Sequence, residues 1–118
     1  MQPKRVIFYK EENGKVPVKD WLYSIKDTKS RRRIFCRLHR VEQGNYGDCK
    51  GLAGCEGLLE LRFDIGPGYR IYFAEDGSTV VVLLVGGGKK TQKKDIIRAA
   101  EYWNDYLENK RHEAIPNA

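Results

Sequence analysis

The segment at residues 58–72, LLELRFDIGPGYRIY, most narrows what this chain can fold into. Apolar and polar residues alternate on both sides of a Gly-Pro-Gly centre, which is the pattern of two half-buried strands joined by a turn. A hairpin that buries its apolar side chains would direct the polar ones to its other face. The sequence therefore predicts an outward face on which a carboxylate, two guanidiniums and a phenol converge. These residues are Glu60, Arg62, Arg70 and Tyr72.

Two interpretations of this face are compatible with its residue types. Arginine binds the non-bridging oxygens of a phosphate through parallel hydrogen bonds and keeps its charge near neutral pH, so Arg62 and Arg70 suit a phosphodiester. The alternative is a solvated sheet face on which Glu60 pairs with the arginines across the strands. The run GGGKKTQ at residues 86–92 adds two lysines. This addition favours a cationic face that holds a phosphodiester.

The rest of the chain shows strand and helix patterns that together predict the fold class. Besides the hairpin strands, β-prone runs occupy residues 5–9 and 79–85, and the second is continuously apolar, as in a central strand buried on both faces. Apolar spacing predicts helices from Pro17, over residues 28–42 and from Thr91. The order β-α-α-β-β-β-α predicts an α+β fold, an antiparallel twisted sheet with helices packed on one side.

Chain length and local composition set the expected domain organisation. With 118 residues, the chain is long enough for one domain and too short for two. We expect residues 1–110 to form that single domain and residues 111–118 to be a disordered tail. The segment at residues 45–57 is rich in glycine and has no apolar period, so we expect a loop there.

Composition restricts the classes of partner. The net charge of +6 favours an acidic partner, which could be nucleic acid, a membrane surface or an acidic protein. No apolar run approaches the ~20 residues that span a bilayer, and the first residues lack the features of a secretory signal, so we expect a cytoplasmic protein without a membrane partner. The three cysteines match no common zinc spacing, and only two histidines accompany them. We therefore expect neither a metal nor a cofactor.

Positive charge is concentrated in two helical segments. A solvated helix face accounts for part of the charge on the helix at residues 28–42, and the excess suits either RNA phosphates or an acidic segment of a protein. At the start of the last helix, positive charge opposes the helix dipole, a cost that a polyanionic ligand would offset. The residues concerned are Lys26, Lys29, Arg31, Arg32, Arg33, Arg37 and Arg40 in the first segment, and Lys93, Lys94 and Arg98 in the second.

Three segments resemble the RelE/ParE toxin superfamily, and in particular its HigB-like branch of phage-derived or addiction-module killer proteins. They are RRRIFCRLHRVEQGNYGD at residues 31–48, the ELR strand with GPGYRIYF at residues 60–73, and VVLLVGGGKKTQKKDI at residues 81–96. The resemblance covers roughly residues 16–106. It implies a toxin of a type II toxin–antitoxin module, with a cognate antitoxin, the ribosome and mRNA as partners. Most catalytic members cleave mRNA on translating ribosomes, whereas the ParE branch inhibits DNA gyrase.

The resemblance also implies roles for individual residues. Arg62 falls where the family has a basic strand residue facing the RNA, and Arg70 falls on the arginine of the GYR motif. Lys89 and Lys90 occupy the position of a basic pair that contributes to phosphate binding. The branch commonly shows GGDKSTQ here, so this chain has glycine at residue 88 instead of the acid and lysine at residue 90 instead of the hydroxyl. A tyrosine that some ribosome-dependent members carry would fall near Ile96 and is missing.

Metal-free RNA cleavage by attack of the 2′-OH needs a base, stabilisation of the developing charge, and an acid for the leaving oxygen. The arginines supply charge stabilisation. Glu60 could be the base or could orient the arginines, and Tyr72 could transfer a proton if the arginines lowered its pKa. Lys89 or Lys90 could be the acid or a point charge on phosphate. The candidate catalytic set is Arg62, Arg70, Lys90, Glu60 and Tyr72, and the candidate phosphate-binding set is Lys89, Lys93, Lys94, Arg31, Arg32, Arg33 and Arg37.

Three functions follow as hypotheses. The preferred one is a ribosome-dependent mRNA endonuclease toxin that stops translation, supported by the clustered arginines and lysines. The second is a non-enzymatic, ParE-like inhibitor of DNA gyrase, which would keep the fold without needing Arg70 on an open face. The third is a non-toxic nucleic-acid-binding regulatory protein, which the net charge permits.

Overall fold

A computed structural model describes residues 2–116 of the chain. It contains six strands, three α-helices and one 3₁₀ turn. The strands are β1 (Arg5–Tyr9), β2 (Cys49–Gly51), β3 (Leu58–Arg62), β4 (Arg70–Asp76), β5 (Val80–Gly87) and β6 (His112–Ala114). The helices are α1 (Pro17–Ser24), α2 (Thr28–Glu42) and α3 (Gln92–Asn109), and the 3₁₀ turn at Lys89–Thr91 leads into α3.

The six strands form one mixed sheet in the order β2-β3-β4-β5-β1-β6. The central pair β1–β5 is parallel, and the other neighbouring pairs are antiparallel. The predicted α+β class is therefore confirmed, and the fold is compatible with a RelE-like architecture. The parallel pair was not anticipated. It arises because β1 lies between β5 and β6 rather than at the end of the meander.

Helices cover both faces of the sheet. Residues of α1 and α2 pack with one set of alternating strand residues, whereas Ala99 and Tyr106 of α3 pack with the other set. The expectation of helices on one side thus holds for α1 and α2, while α3 lies on the opposite face. The apolar run of β5 explains this arrangement, because neighbouring residues such as Leu83 and Leu84 point to opposite faces and both are fully buried.

Two short edge strands depart from the expected organisation. β2 lies inside the segment expected to be a loop, where it pairs with β3, and β6 lies inside the expected disordered tail, where it pairs with β1. An ion pair of 2.6 Å between Lys19 and Glu113 holds β6 against α1. The expectation of a disordered tail is therefore wrong for residues 112–114, and residues 117 and 118 lie outside the described part of the chain.

The helix starts follow from local chemistry. Pro17 occupies the first position of α1, where its missing N–H costs nothing. Asp27 caps α2 by accepting hydrogen bonds from the Lys29 N–H and the Ser30 hydroxyl. Within residues 2–116, no helix has the length and apolar character needed to cross a membrane.

Candidate functional site

The β3–β4 hairpin places its two arginines side by side. Arg62 and Arg70 are direct partners in the antiparallel register, and Glu60 pairs with Tyr72 two residues further along the strands. The hairpin predicted from the alternating pattern is thereby confirmed. Like charges opposite each other on neighbouring strands destabilise a sheet, so this arrangement needs a compensating negative charge.

Glu60 supplies that charge from a buried position. Its side chain is 1% exposed, and its Oε1 accepts a hydrogen bond of 2.8 Å from Nε of Arg62. Nε of Arg70 lies 3.1 Å from the same oxygen but is not aligned for a hydrogen bond, so this contact is an ion pair only. This hydrogen bond to Glu60 raises the pKa of the Arg62 guanidinium further above its usual value. One carboxylate oxygen therefore holds both guanidiniums.

The contacts with Glu60 use the Nε edges of the arginines. Among the described residues, the terminal nitrogens of Arg62 and Arg70 make no hydrogen bond within the protein. The Arg62 side chain is 35% exposed and that of Arg70 is 15% exposed. Both guanidiniums can thus donate hydrogen bonds to an external anion while their Nε atoms remain in contact with Glu60.

The face of the hairpin that carries Glu60 is not open to solvent as a whole. Glu60 and Tyr72 are buried because α3 covers this face, so the prediction of an outward position is wrong for these two residues. The predicted convergence of Glu60 with both arginines is confirmed. The hairpin therefore has a buried centre and a partly exposed cationic end.

Tyr72 differs most from its expected chemistry. Burial raises the pKa of its hydroxyl to about 12, and the negative charges of Glu60 and Asp95 add to this rise. The guanidinium of Arg70 and the nearby Gln92 amide offset only part of it. The condition on which Tyr72 could transfer a proton, a pKa lowered by the arginines, is therefore not met. The hydroxyl is fully buried and makes no hydrogen bond among residues 2–116.

Replacing Tyr72 with phenylalanine should reduce the loss of stability at high pH. An unfolded tyrosine ionises near pH 10, whereas the folded Tyr72 stays neutral until about pH 12, so the folded state binds the proton more tightly. Its contribution is complete below pH 10 and is lost as pH rises between these two values. Urea unfolding at several pH values in the alkaline range would measure the free energy of unfolding of wild type and variant. Equal losses in wild type and variant would contradict this assignment.

A lysine-rich segment lies beside the cationic end of the hairpin. The 3₁₀ turn begins one residue after β5. A Cβ built on Gly68 of the hairpin turn would contact the Cβ of Lys89 at 3.7 Å. None of the four lysines in this segment forms an ion pair within residues 2–116, and all are exposed. With Thr91 and Gln92 they line a shallow depression. The lysines are Lys89, Lys90, Lys93 and Lys94.

One hydrogen bond from Gln92 and one close approach of Asp95 to Gly87 fix the start of α3 against the sheet. Nε2 of Gln92 donates a 3.3 Å hydrogen bond to Oε2 of Glu60, which joins the lysine-rich segment to the arginine pair. Asp95 is buried, and its carboxylate accepts a 2.6 Å hydrogen bond from the Thr91 hydroxyl. A Cβ at Gly87 would overlap that carboxylate, so the glycine makes room for it.

Sequence reasoning did not single out Gln92 or Asp95. An acid in the first turn of a helix normally signals a favourable interaction with the helix dipole, and nothing in that signal shows that the side chain is buried. Gln92 was visible only as part of the GGGKKTQ run. Its contact with Glu60 spans 32 positions of the chain, so no local pattern could have revealed it.

The arginines of α2 divide into two kinds. Arg37 donates to the backbone oxygens of Tyr46 and Arg62 at 3.2 and 3.0 Å, and burial lowers the pKa of its guanidinium. Arg31 donates to the backbone oxygen of Ile25 at 3.0 Å. These two guanidiniums hold the fold together. Arg32 and Arg33 are exposed and belong to no ion pair within the described chain.

The structure does not bring α2 and the lysine-rich segment together. α2 packs on the face of the sheet opposite α3. Arg32 and Arg33 therefore form a separate basic surface, and a single phosphate could not contact both surfaces.

Comparison with known proteins gives two matches. The profile of the family described as "Phage derived protein Gp49-like (DUF891)" matches residues 20–102, more than two thirds of the chain. An uncharacterized protein of Haemophilus influenzae is 42% identical over 79 residues, which cover 67% of this chain and 78% of that protein. The profile match runs from within α1 to most of α3, and it therefore includes the hairpin and the glycine run.

Proposed function

The chain belongs to the Gp49-like phage-derived protein family, a toxin–antitoxin-associated family with a RelE-like fold, and on this premise we propose that it is the toxin of a type II toxin–antitoxin module. Its cognate antitoxin would be its protein partner. The observation that carries the proposal is the cationic end of the hairpin, where Arg62 and Arg70 share one buried carboxylate and keep their terminal nitrogens free. If the arginines served only to stabilise the sheet, their terminal nitrogens would not need to stay free of hydrogen bonds within the protein.

The proposed activity is cleavage of mRNA on the translating ribosome, by attack of a 2′-OH on the adjacent phosphorus. Arg62 and Arg70 would bind the non-bridging oxygens and stabilise the charge that develops on them. Lys89 and Lys90 would add positive charge from the start of α3, and Lys90 could protonate the leaving oxygen. The bond between phosphorus and the 5′ oxygen breaks, and the product is a 2′,3′-cyclic phosphate.

Burial separates the roles of the two remaining candidates. Glu60 is 1% exposed and lies behind the guanidiniums, which favours an orienting role over direct proton abstraction from RNA. Tyr72 is fully buried with a raised pKa, which disfavours a role as the base. The proposed mechanism therefore assigns charge stabilisation to this chain and does not assign the base to either residue.

The exposed basic residues away from the hairpin end suit RNA contacts that position the toxin. Lys93 and Lys94 extend the lysine-rich segment along the first turn of α3, in line with a phosphate backbone that passes the arginine pair. Arg32 and Arg33 on α2 could contact a second RNA segment or an acidic segment of the antitoxin. Their location on the other face makes a direct catalytic role unsuitable.

Replacing Lys89 and Lys90 together with alanine should weaken RNA binding similarly for all sequences. Lysine contacts with phosphate release counterions, so the slope of log affinity against log salt should become shallower by ~0.7 for each lost contact with single-stranded RNA. Fluorescence anisotropy with 2′-O-methyl RNA oligonucleotides at several salt concentrations would measure this slope. Replacing Lys4 and Lys110, which contact Glu75 and Asp76 at the end of β4 away from Arg70, should leave it unchanged.

Pulse labelling of protein, DNA and RNA after induced expression in a bacterial host tests the proposed function. We expect a rapid stop in protein labelling with cleaved transcripts. The comparison strain would carry both Arg62→Ala and Arg70→Ala, and it should continue to label protein. Early arrest of DNA labelling would instead favour a gyrase inhibitor, and unaffected growth would show a non-toxic relative.

A further inference from the structure

Glu60 occupies a position that links two separate parts of the cationic surface. Its Oε1 contacts the Nε atoms of Arg62 and Arg70 on the sheet, and its Oε2 accepts from Gln92 on α3. Gln92 follows directly after the 3₁₀ turn that carries Lys89 and Lys90. A single carboxylate therefore contacts both the strand pair and the helix start that supply the positive charges.

We propose that Glu60 is a positioning residue that orients the two arginines and fixes the lysine-rich segment beside them, so that sheet and helix form one site for an RNA phosphate. This inference rests on the proposed function for the identity of the anion. It assigns to Glu60 no contact with RNA, because the guanidiniums and α3 cover its carboxylate.

The geometry shows why a carboxylate is needed at this depth. Without it, two guanidiniums would face each other across neighbouring strands and separate by changing rotamer. The hydrogen bond through Nε restrains the guanidinium plane of Arg62 and leaves its two terminal nitrogens free to donate to an anion. An arginine fixed in this way loses less side-chain entropy when an anion binds.

If Glu60 acted only through its charge, it would weaken anion binding at the site rather than support it. Glu60 carries a negative charge next to a proposed anion site, so its neutralisation should strengthen anion binding if charge were its only contribution. Positioning predicts weaker binding, because the loss of alignment outweighs the gain in net charge. The sign of the change in affinity therefore distinguishes the two accounts.

The test compares Glu60→Gln with Asp64→Asn. Asp64 is exposed, lies two residues beyond Arg62 and makes no ion pair among residues 2–116, so its replacement removes one negative charge without disturbing the cluster. The probe is a 2′-O-methyl RNA hexanucleotide, which cannot be cleaved because it has no 2′-OH to attack the adjacent phosphorus. We expect about tenfold weaker binding for Glu60→Gln and equal or tighter binding for Asp64→Asn. Equal or tighter binding by folded Glu60→Gln would overturn the proposal.

A second variant addresses the helix side and guards against misfolding of the first. Gln92→Leu removes the hydrogen bond to Glu60 without changing any charge, and Gln92 is only partly buried, so the variant should fold. We expect severalfold weaker binding of the hexanucleotide and a shallower salt dependence, because the lysines are no longer held beside the arginines. Unchanged affinity and salt dependence would contradict the proposed link.

NMR of the arginine Nε–H groups separates this proposal from the proposed function. In wild type, the Arg62 Nε proton should exchange slowly with water because it is bound to Glu60, and in Glu60→Gln it should exchange at least about tenfold faster. If wild type neither bound RNA nor cleaved mRNA on ribosomes, the proposed function would fail, while slow exchange would still support the positioning of Arg62. Rapid exchange in folded wild type would overturn the positioning role itself.

Discussion

Replacing Arg70 with alanine should abolish the growth arrest caused by expression of this protein while leaving its fold intact. Loss of one donor that stabilises developing charge costs about 3 kcal/mol, or roughly a hundredfold in rate. The fold should survive because Glu60 keeps its 2.8 Å hydrogen bond from Arg62 and its contact with Gln92, so no buried charge is left without a partner. The change also removes a like charge from the position opposite Arg62. Affinity for the antitoxin should be unchanged.

We would measure growth after induction, circular dichroism and thermal unfolding for Arg70→Ala and for a control variant, Arg111→Ala. Arg111 offers a matched control, since it is also partly buried and forms a 2.6 Å ion pair, with Asp105, next to β6. Asp105 would retain its hydrogen bonds from Tyr9 and Asn109 in this variant. Arg111→Ala should therefore remain toxic. Full toxicity of a folded Arg70→Ala protein would remove Arg70 from the proposed site.

Replacing Gly86 with alanine should destabilise the protein far more than the same change at Gly88, two residues along the glycine run. A Cβ at Gly86 would overlap the ring of Trp21, which packs on β5 from α1 and also contacts Tyr69 edge-on at 5.6 Å. Because the overlapping atoms are part of a rigid ring, either the ring or the strand must move. We expect a loss of about 3 kcal/mol in the free energy of unfolding and a fall in melting temperature of roughly 10–20 °C.

Gly88→Ala is the matched comparison within the same run. A Cβ there would meet only Pro67 at 3.7 Å, an ordinary van der Waals contact, and the backbone φ of −96° suits any residue. We expect its stability to stay within about 0.5 kcal/mol of wild type. Differential scanning calorimetry of both variants would measure the contrast. Equal melting temperatures for the two variants would show that Trp21 does not require the close approach at Gly86.

The sequence allowed the hairpin to be predicted well because its signal is local. Alternation fixes which residues share a face, and the Gly-Pro-Gly turn fixes the two strands relative to each other, so the pairing of Arg62 with Arg70 follows from these two patterns. Alternation alone does not indicate which face is covered. The four polar residues were expected to face solvent, but α3 packs over Glu60 and Tyr72, and this burial depends on contacts between distant parts of the chain.

The elements that sequence analysis missed lack a local pattern. β2 and β6 have three residues each, too few to display a period of two, and they exist because the edges of β3 and β1 are available for pairing. The burial of Glu60 was similarly unpredictable, since charged residues are rarely buried without partners and its partners come from β4 and α3.

The most direct test of the account is the mapping of RNA ends in a purified translation reaction. Wild type or the Arg62→Ala, Arg70→Ala double variant would be added to ribosomes translating a defined mRNA, with the same mRNA lacking ribosomes as a control. We expect cleavage by wild type only when ribosomes are present, 2′,3′-cyclic phosphates at the new 3′ ends, and no cleavage by the double variant. Intact mRNA under conditions in which the wild-type protein arrests growth would contradict the proposed activity.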